Sequence, residues 1–220
     1  MFLHTHPYEP FLFKEATKLI VGTLPPPRFT TRALKKEDVD FCYGSKNGLL
    51  WPILDKIFDL NLVYSTTEFA IQQRKKFLLK HKIAVCDIVA SAKRSKIDAS
   101  DLGMQHVELR DVIRYLEEYP NINTILFMGG NSKNGPEYFF RKLLKEKNIS
   151  LEMVSNIVPR VYQFQLLNSP KRIIKTVSLT APSGAANRAI GSMLAYKEYK
   201  HKDPNFSTLD FRVLQYKEHF

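Results

Sequence analysis

The sequence predicts an α/β fold, a three-layer α/β/α sandwich around a central, mainly parallel sheet of four to five strands. Two observations support this fold class. Short apolar runs typical of buried strands alternate along the chain with longer segments of helical periodicity. Three of the apolar runs end in loops rich in glycine, proline or serine, after Val21, Met128 and Leu179. The chain shows no repeat and no linker, so we expect residues 1–220 to form a single domain.

The predicted elements follow one another in the order β, α, α, β, α, β, α, β, β, α. Continuous apolar runs predict strands at 18–24, 83–89, 122–130, 160–167 and 171–182. Apolar residues at helical spacing predict helices at 48–60, 65–82, 107–119, 135–148 and 184–200. A Ser/Thr cap starts the second of these helices, and Pro120 ends the third. For 203–220 the pattern allows a final helix without fixing it.

Composition is that of an ordinary globular protein. Of the 220 residues, 44% are hydrophobic and 25% are charged. No apolar run approaches the roughly 20 residues of a membrane helix. The N-terminus lacks the basic and apolar regions of an export signal. Cys42 and Cys86 are too few for a disulfide framework or a four-cysteine metal site. We therefore expect a cytoplasmic protein that does not bind membranes.

The net charge of +11 concerns the partners of the protein rather than its fold. Nucleic acid is the polyanion that such an excess of lysine and arginine would attract. A general contribution to solubility explains the same excess, and composition alone leaves both explanations open.

Three loops carry residues suited to chemistry: "GTLPPPRF" at 22–29, "DFCYGSKNGLLWPIL" at 40–54 and "LTAPSGAANR" at 179–188. If the strands are parallel, the loops that follow them meet at one edge of the sheet and form one cleft. The three prolines make the first loop stiff and extended. They are equally compatible with a simple stop after a strand.

Aromatic and small polar side chains in these loops suit the binding of a planar, anionic ligand. Phe41 or Tyr43 could stack on a planar ring, although such aromatics also occur in cores. The amide of Asn47 could read a base edge or hold a water molecule. Ser183 and Gly184 open a helix, where backbone N–H groups favour a phosphate, but Ser183 is equally suited to capping that helix.

The order and spacing of these motifs resemble the uracil-DNA glycosylase superfamily, nearest its mismatch-specific uracil and hypoxanthine-DNA glycosylase branches. Those proteins carry a strand that ends in Gly-x-x-Pro, matched here by "GTLP" at 22–25. An aromatic, small polar residues, Asn and Phe-Trp follow in them, similar to "YGSKNGLLWPIL" at 43–54. An Asp-Ile/Val-Val strand and a Pro-Ser-Gly loop are similar to "CDIVASAKRSKID" at 86–98 and "APSGAANR" at 181–188. The likeness covers about 18–200.

The resemblance implies a monofunctional DNA glycosylase, a hydrolase of base-excision repair. Such an enzyme flips a deaminated base, uracil or hypoxanthine, out of DNA and cuts its N-glycosidic bond. Base and sugar contacts fall on Gly22, Thr23, Leu24, Phe41, Tyr43 and Gly44. DNA contacts fall on Arg28, Lys46, Ser183, Gly184, Asn187 and Arg188. The implied partner is damaged or mismatched DNA, double- or single-stranded, bound by a monomer that needs no metal and no other cofactor.

The water-activating group is the point at which this chain departs from the family. The mismatch-specific branch has Asn where this chain has Leu24. The hypoxanthine branch uses an Asn that aligns with Gly48, one residue after Asn47. We take Asn47 and Asp87 as the candidate catalytic residues: Asn47 requires a one-residue shift in its loop, and Asp87 is an acid inside an apolar strand. The alternative for Asp87 is a buried acid satisfied by local hydrogen bonds.

Other positions are assigned smaller roles. Ala185 and Ala186 stand where the family carries a bulky wedge, which favours substrates whose base is already unpaired. Further basic residues placed to meet a DNA backbone are Lys93, Arg94 and Lys96. The histidines of the N-terminal segment, His4 and His6, are interpreted as incidental because no metal-ligand spacing surrounds them.

Two other functions remain open at this point. A nucleic-acid-binding protein of the same fold could have lost the water-activating residue, as Leu24 and Gly48 suggest. A small-molecule α/β enzyme could bind the phosphate of a nucleotide at Ser183. The glycosylase hypothesis makes two structural predictions. Thr23, Tyr43 and Ser183 share one hollow, and Gly22 ends its strand because a Cβ there would obstruct the approach of a sugar or base.

Overall fold

The computed structural model describes residues 1–166 and 171–220, and nine strands lie within these residues. The strands are β1 Phe2–Thr5, β2 Lys18–Val21, β3 Ile83–Val85, β4 Val89–Arg94, β5 Met104–Leu109, β6 Thr124–Phe127, β7 Glu152–Ser155, β8 Arg160–Leu166 and β9 Arg172–Ser178. The helices are α1 Pro27–Thr30, α2 Leu50–Phe58, α3 Glu68–Lys80, α4 Val112–Glu118, α5 Pro136–Glu146, α6 Asn187–Ser192, α7 Leu194–Lys202 and α8 Thr208–Lys217. Short 3₁₀ turns occupy Asp101–Gly103 and Gly184–Ala186.

The central sheet has six strands in the order β3-β2-β6-β9-β8-β7. The first four are parallel, whereas β8 and β7 are antiparallel to their neighbours. Val21 pairs with Phe127, and Phe127 pairs with Ser178, so the carboxyl ends of β2, β6 and β9 lie side by side. The loops that follow these three strands therefore leave the sheet from one edge.

Helices cover both faces of this sheet because strand side chains alternate between two apolar clusters. On one face Leu19 and Val21 pack in a cluster with α4 and α5. On the other face Ile20 packs with α2, α3 and Tyr216 of α8. The predicted α/β class and the mainly parallel central sheet are confirmed, with six strands instead of four to five.

A second, three-stranded sheet of order β1-β4-β5 lies beside the first. Its strand β1 pairs antiparallel with β4, from Phe2 opposite Arg94 to Thr5 opposite Ser91. Further along, Phe11 forms an antiparallel bridge to Val85 and so covers the outer edge of β3. The N-terminal segment, for which the sequence predicts no strand, is thus tied to the fold at two places.

Three predicted elements differ from the structure by more than their end residues. The predicted strand 83–89 is two strands in two sheets, and Cys86 to Ile88 lie between them. The helix predicted from Val107 begins at Val112, because Asp111 caps it through the amide of Arg114 and the preceding residues form β5. The predicted helix 184–200 is a 3₁₀ turn followed by α6 and α7. The last residue of the strand predicted at 160–167 lies outside the described residues.

The C-terminal segment forms a defined helix. Ser207 and Asp210 make a capping box at the start of α8, in which each side chain accepts from the other residue's amide. Of its buried residues, Tyr216 packs in the apolar cluster of Ile20, and Arg212 and Gln215 form hydrogen bonds with the loop after β9. Across the described part of the chain, no helix combines the length and apolar character that a membrane span requires.

Candidate active site

One cavity of about 390 Å³ opens at the carboxyl edge of the parallel strands. That volume lies within the range of ordinary small-ligand sites. The cavity is lined by residues 22–26, 28, 43–45, 47–50, 87, 99, 101, 128 and 181–184. Thr23, Tyr43 and Ser183, which belong to three loops distant in sequence, thus share one hollow as the sequence predicts.

Asp87 lies in the break between β3 and β4 and is 6% exposed. Its Oδ1 accepts hydrogen bonds from the amide of Gly22 at 3.0 Å and from the hydroxyl of Tyr43 at 2.8 Å. Its Oδ2 lies 2.9 Å from Nε2 of His6. Both carboxylate oxygens are therefore engaged, in agreement with the alternative reading of Asp87 as a buried acid satisfied by hydrogen bonds.

His6 is a structural partner of the site, which corrects its interpretation as incidental. Its Nδ1 lies 2.9 Å from the carbonyl oxygen of Tyr8 and 3.2 Å from the amide nitrogen of the same residue. Because a carboxylate oxygen only accepts, the contact between Nε2 and Oδ2 is a hydrogen bond that His6 donates to Asp87. The sequence contains no local signal for this pair because the two residues are 81 positions apart.

His4, two residues earlier and within β1, is also buried and not incidental. Nε of Arg94 donates to its Nδ1 at 2.8 Å. Burial, and next the positive charge of Arg94, lower the pKa of His4 to about 4, so the ring is neutral at physiological pH. Arg94 is 1% exposed, so it does not form part of a DNA-facing basic surface as the sequence suggests.

Gly22, the residue that follows β2, has no room for a side chain. An added Cβ would lie 2.2 Å from the hydroxyl oxygen of Tyr43 and 2.7 Å from Oδ1 of Asp87. The groups that exclude a Cβ at Gly22 are therefore side chains of the protein itself, and the close approach of a sugar or base to this residue stays a prediction. The three residues form one packed corner of the cavity, which we call the paired corner.

Tyr43 lines the cavity, and its backbone has an unusual conformation. Its φ is 57°, a left-handed value that non-glycine residues adopt rarely. Burial raises the pKa of its phenol well above the usual value, so the hydroxyl is a permanent donor to Asp87. The next residue, Gly44, must lack a side chain, because an added Cβ would lie 1.8 Å from the carbonyl oxygen of Val39.

Asp38, which is fully buried, organises the loop that carries Tyr43. Its carboxylate accepts two hydrogen bonds from Arg28, at 2.7 and 2.8 Å, and others from the amides of Lys35 and Lys46. Burial alone would raise the pKa of Asp38, but the hydrogen bonds from Arg28 and the two amides lower it to about 2. Arg28 lines the cavity, and most of its donors are committed to Asp38 and Ser45.

The loop after β9 is fixed from behind by α8. The guanidinium of Arg212 donates to the carbonyl oxygens of Ala181 and Ser183 at 3.0 and 2.7 Å. The amide of Leu49 donates to the carbonyl oxygen of Pro182, which joins this loop to the loop of Tyr43. The Ser183 side chain makes no capping hydrogen bond, so the capping role considered for it is not what the structure shows.

Ten of the residues singled out from the sequence line the cavity: Gly22, Thr23, Leu24, Arg28, Tyr43, Gly44, Asn47, Asp87, Ser183 and Gly184. Asn47 and Gly184 are exposed at its mouth. Leu24 also packs against the apolar cluster beneath the sheet and brings no polar atom into the cavity.

Four predicted site residues lie elsewhere. Phe41 does not line the cavity, because it is 7% exposed in the core and packs edge-on against Phe11. Lys46 forms an ion pair with Glu37, in which Nζ lies 2.5 Å from Oε2. The side-chain oxygen of Asn187 accepts from Arg212 and Thr208. Arg188 is exposed on α6 outside the cavity lining.

Asp101 is a cavity residue that sequence reasoning missed. It lies in the 3₁₀ turn before β5, and its Oδ1 accepts from the hydroxyl of Thr23 at 2.8 Å. Burial raises the pKa of Asp101 to about 6, with opposing contributions from the Thr23 hydrogen bond and from Arg94. An acid in a polar, charged loop carries no sequence signal of burial, so only the folded chain shows it.

Metal ligation has no obvious place in the part of the chain that the structure describes. Within 1–166 and 171–220, no group of three or more His, Cys, Asp or Glu side chains is arranged to hold a metal ion.

The fold is shared with a known structure. The chain is similar to the solution NMR structure of a candidate uracil DNA glycosylase from Methanosarcina acetivorans, with a TM-score of 0.54 and 16% sequence identity. The similarity covers 96% of this chain and 99% of that protein. No protein-family model matches the sequence, and no curated protein matches it. At this level of identity, the two proteins share an α/β fold with helices on both faces of the central sheet.

Proposed function

We propose that the protein is a monofunctional DNA glycosylase that hydrolyses the N-glycosidic bond of a deaminated base, uracil or hypoxanthine, in DNA. The observation that carries the proposal is the convergence of three sequence-distant loops on one cavity of about 390 Å³. The fold, shared over almost the whole chain with a candidate uracil DNA glycosylase, supports it. The protein would act as a single domain and as a monomer in base-excision repair.

The cavity is suited to a flipped base. The ring of Tyr43, fixed by its hydrogen bond to Asp87, offers a rigid surface on which a planar base can stack. The amide of Asn47 at the mouth offers one donor and one acceptor to the base edge or to a water molecule. Because the paired corner is already ordered, little conformational entropy remains to be lost on binding.

DNA would lie across the mouth of the cavity. The net charge of +11 favours a polyanion. Ser183 and Gly184 line the mouth on one side, and their loop is fixed by Arg212, so they are placed to contact a phosphate. Because Ala185 and Ala186 are small, we expect unpaired or mismatched bases to be the better substrates.

The test is base release from oligonucleotides that carry uracil, hypoxanthine or xanthine, paired, mismatched or in single strands. We expect abasic sites without a lysine-linked intermediate. A paired set of variants excludes a contaminating glycosylase. Gly184 and Gly191 are both exposed with open space around an added Cβ, but only Gly184 lines the cavity. Gly184→Trp should lower the rate at least about tenfold, equivalent to about 1.4 kcal/mol in the barrier, and Gly191→Trp should leave it unchanged.

A second candidate function is binding of nucleic acid without catalysis. Leu24 favours it, because an apolar side chain lines the cavity where one branch of the superfamily carries its water-activating Asn. This alternative predicts DNA binding that weakens with salt. The logarithm of the binding constant should fall linearly with the logarithm of salt concentration, with a slope of about −0.9 for each phosphate contact, and no substrate should yield abasic sites. The base-release experiment therefore decides between the two.

A further inference from the structure

Two carboxylates line the cavity, and their surroundings differ. Asp87 receives the Gly22 amide and the Tyr43 hydroxyl on one oxygen and faces His6 with the other. Asp101 receives one hydrogen bond, from Thr23 to Oδ1, and its Oδ2 has no hydrogen-bond partner among the described residues. A base must have a free lone pair within reach of the proton that it accepts. A carboxylate has about four lone pairs; the described residues leave three of them unused on Asp101 but only one on Asp87, on the oxygen that faces His6. Asp101 is therefore the more available acceptor.

The backbone around Asp101 is fixed by two buried side chains. Asn134, 7% exposed, donates from Nδ2 to the carbonyl oxygens of Asp101 and Met104 at 2.9 and 3.1 Å. Arg94 donates to the carbonyl oxygen of Ser100 at 2.6 Å. The turn before β5 is thus anchored on both sides of Asp101, although it lies in a polar loop. Such anchoring holds a reactive group in place without occupying it.

We propose that Asp101 is the catalytic base of this protein, the group that takes the proton of the attacking water. The inference rests on the proposed glycosylase function. It names a residue that would activate the attacking water, which the apolar side chain of Leu24 cannot do. Asp87 then becomes a positioning residue, which holds Tyr43 and the end of β2.

The reaction balances with water as the only co-reactant. The C1′–N bond of the sugar breaks, and its electron pair leaves with the base. Water forms the new C1′–O bond and loses one proton to the carboxylate of Asp101. That proton passes through solvent to the leaving base, which departs neutral, and Asp101 returns to its ionised form. The negative charge of Asp101 also stabilises the sugar cation that develops before water attacks.

The surroundings of Asp101 suit a base at neutral pH. Burial raises its pKa to about 6, and the nearby charge of Asp87 acts in the same direction. The Thr23 hydroxyl and the charge of Arg94 act in the opposite direction. Asp101 is therefore mostly ionised above pH 7, yet it accepts a proton more readily than an ordinary aspartate.

Asp101→Asn tests the role, with Asp98→Asn as the matched control. Asp98 is an acid on the same loop and also faces Arg94, at 3.6 Å, but it does not line the cavity. We expect Asp101→Asn to lower the single-turnover rate of base release by about 100-fold or more, a usual range for loss of a general base, with oligonucleotide affinity unchanged. Asp98→Asn should retain the wild-type rate.

The pH profile gives a second test of the role. The wild-type rate should rise with pH up to about 6 and then level off, and this dependence should be lost in Asp101→Asn.

The possible outcomes separate the two proposals. If the wild type releases base and Asp101→Asn, folded by circular dichroism, releases it at a similar rate, the role of Asp101 is overturned and the glycosylase function stands. An equal loss of rate in Asp98→Asn would overturn it as well, because the effect would then come from the loop. If the wild type releases no base from any substrate, the proposed function fails and the role of Asp101 fails with it.

Discussion

Two sets of residues that line the cavity differ in how their polar groups are satisfied. In the paired corner, the acid of Asp87 is surrounded by donors from Gly22, Tyr43 and His6. A second set of lining residues, which we call the open wall, consists of Asn47, Asp101, Ser183 and Gly184. Among the described residues, the carboxylate of Asp101 accepts one side-chain hydrogen bond, from Thr23.

This difference separates a supporting role from a chemical one. Polar groups that satisfy one another give rigidity, and breaking one of them leaves buried partners without hydrogen bonds. Groups with unused donors or acceptors can bind a ligand instead. We therefore expect variants of the paired corner to change stability most, and variants of the open wall to change activity most. Measurements of unfolding free energy test that division.

Gly22→Ala should give the largest loss. The new methyl group would overlap the Tyr43 hydroxyl and the Asp87 carboxylate, so the corner must open. We expect about 3 kcal/mol of destabilisation, the upper part of the range for an overpacked core. Urea unfolding measures it. Gly184→Ala on the open wall, where an added Cβ has no neighbour within 4 Å, is the control and should change stability by less than about 0.5 kcal/mol. Equal losses in the two variants would contradict the division.

Asp87→Ala should have the next largest effect. It leaves the Gly22 amide and the Tyr43 hydroxyl without their acceptor in a buried place. The expected loss is between about 2 and 3 kcal/mol, whereas Tyr43→Phe removes one hydrogen bond and should cost about 1 kcal/mol. Urea unfolding of both single variants and of the double variant measures the coupling. Strictly additive losses would show that the two residues do not act as a unit.

Asp101→Asn should stabilise the protein at pH 7.5. The full pKa shift would correspond to about 3 kcal/mol, and because solvent reaches the partly exposed carboxylate we expect about 1–2 kcal/mol. The folded pKa of Asp101, about 6, lies above its ordinary value of 3.8. The folded state therefore binds more protons than the unfolded state between these values, and stability falls as pH rises through them. Asparagine does not titrate, so the variant does not lose stability in this way. The difference in unfolding free energy between variant and wild type should therefore be nearly complete above pH 6 and vanish below about pH 4. Urea unfolding across this range measures it, and a difference independent of pH would exclude the titration of Asp101 as its cause.

The titration of His4 changes stability with pH in the opposite direction to that of Asp101. The folded pKa of His4 is lowered from 6.5 to about 4, so the unfolded state binds more protons between these values. Its contribution to stability is therefore lost as pH falls from 6.5 to 4. Comparing Asp101→Asn with the wild type at each pH cancels this contribution, because His4 is present in both.

Sequence reasoning was most successful where local pattern and packing agree. Apolar strands and amphipathic helices predict the layered fold, and Gly22, Tyr43 and Ser183 stand in loops that follow or adjoin those elements. Phe41 was assigned to the cavity because an aromatic residue in a polar loop has the same local pattern in a core and in a binding site. The structure places it in the core.

The fold class and the edge at which the loops gather are properties that the sequence alone determined, because they depend on the periodicity of strands and helices. The need for glycine at position 22 comes from Tyr43 and Asp87, which only the tertiary structure brings against it. The tertiary structure decided which acid is satisfied and which is free. His6 meets Asp87 across 81 positions, and Thr23 meets Asp101 across 78. Hydrogen-bond partners so distant in sequence are set by how strands and loops pack, and no local pattern encodes them.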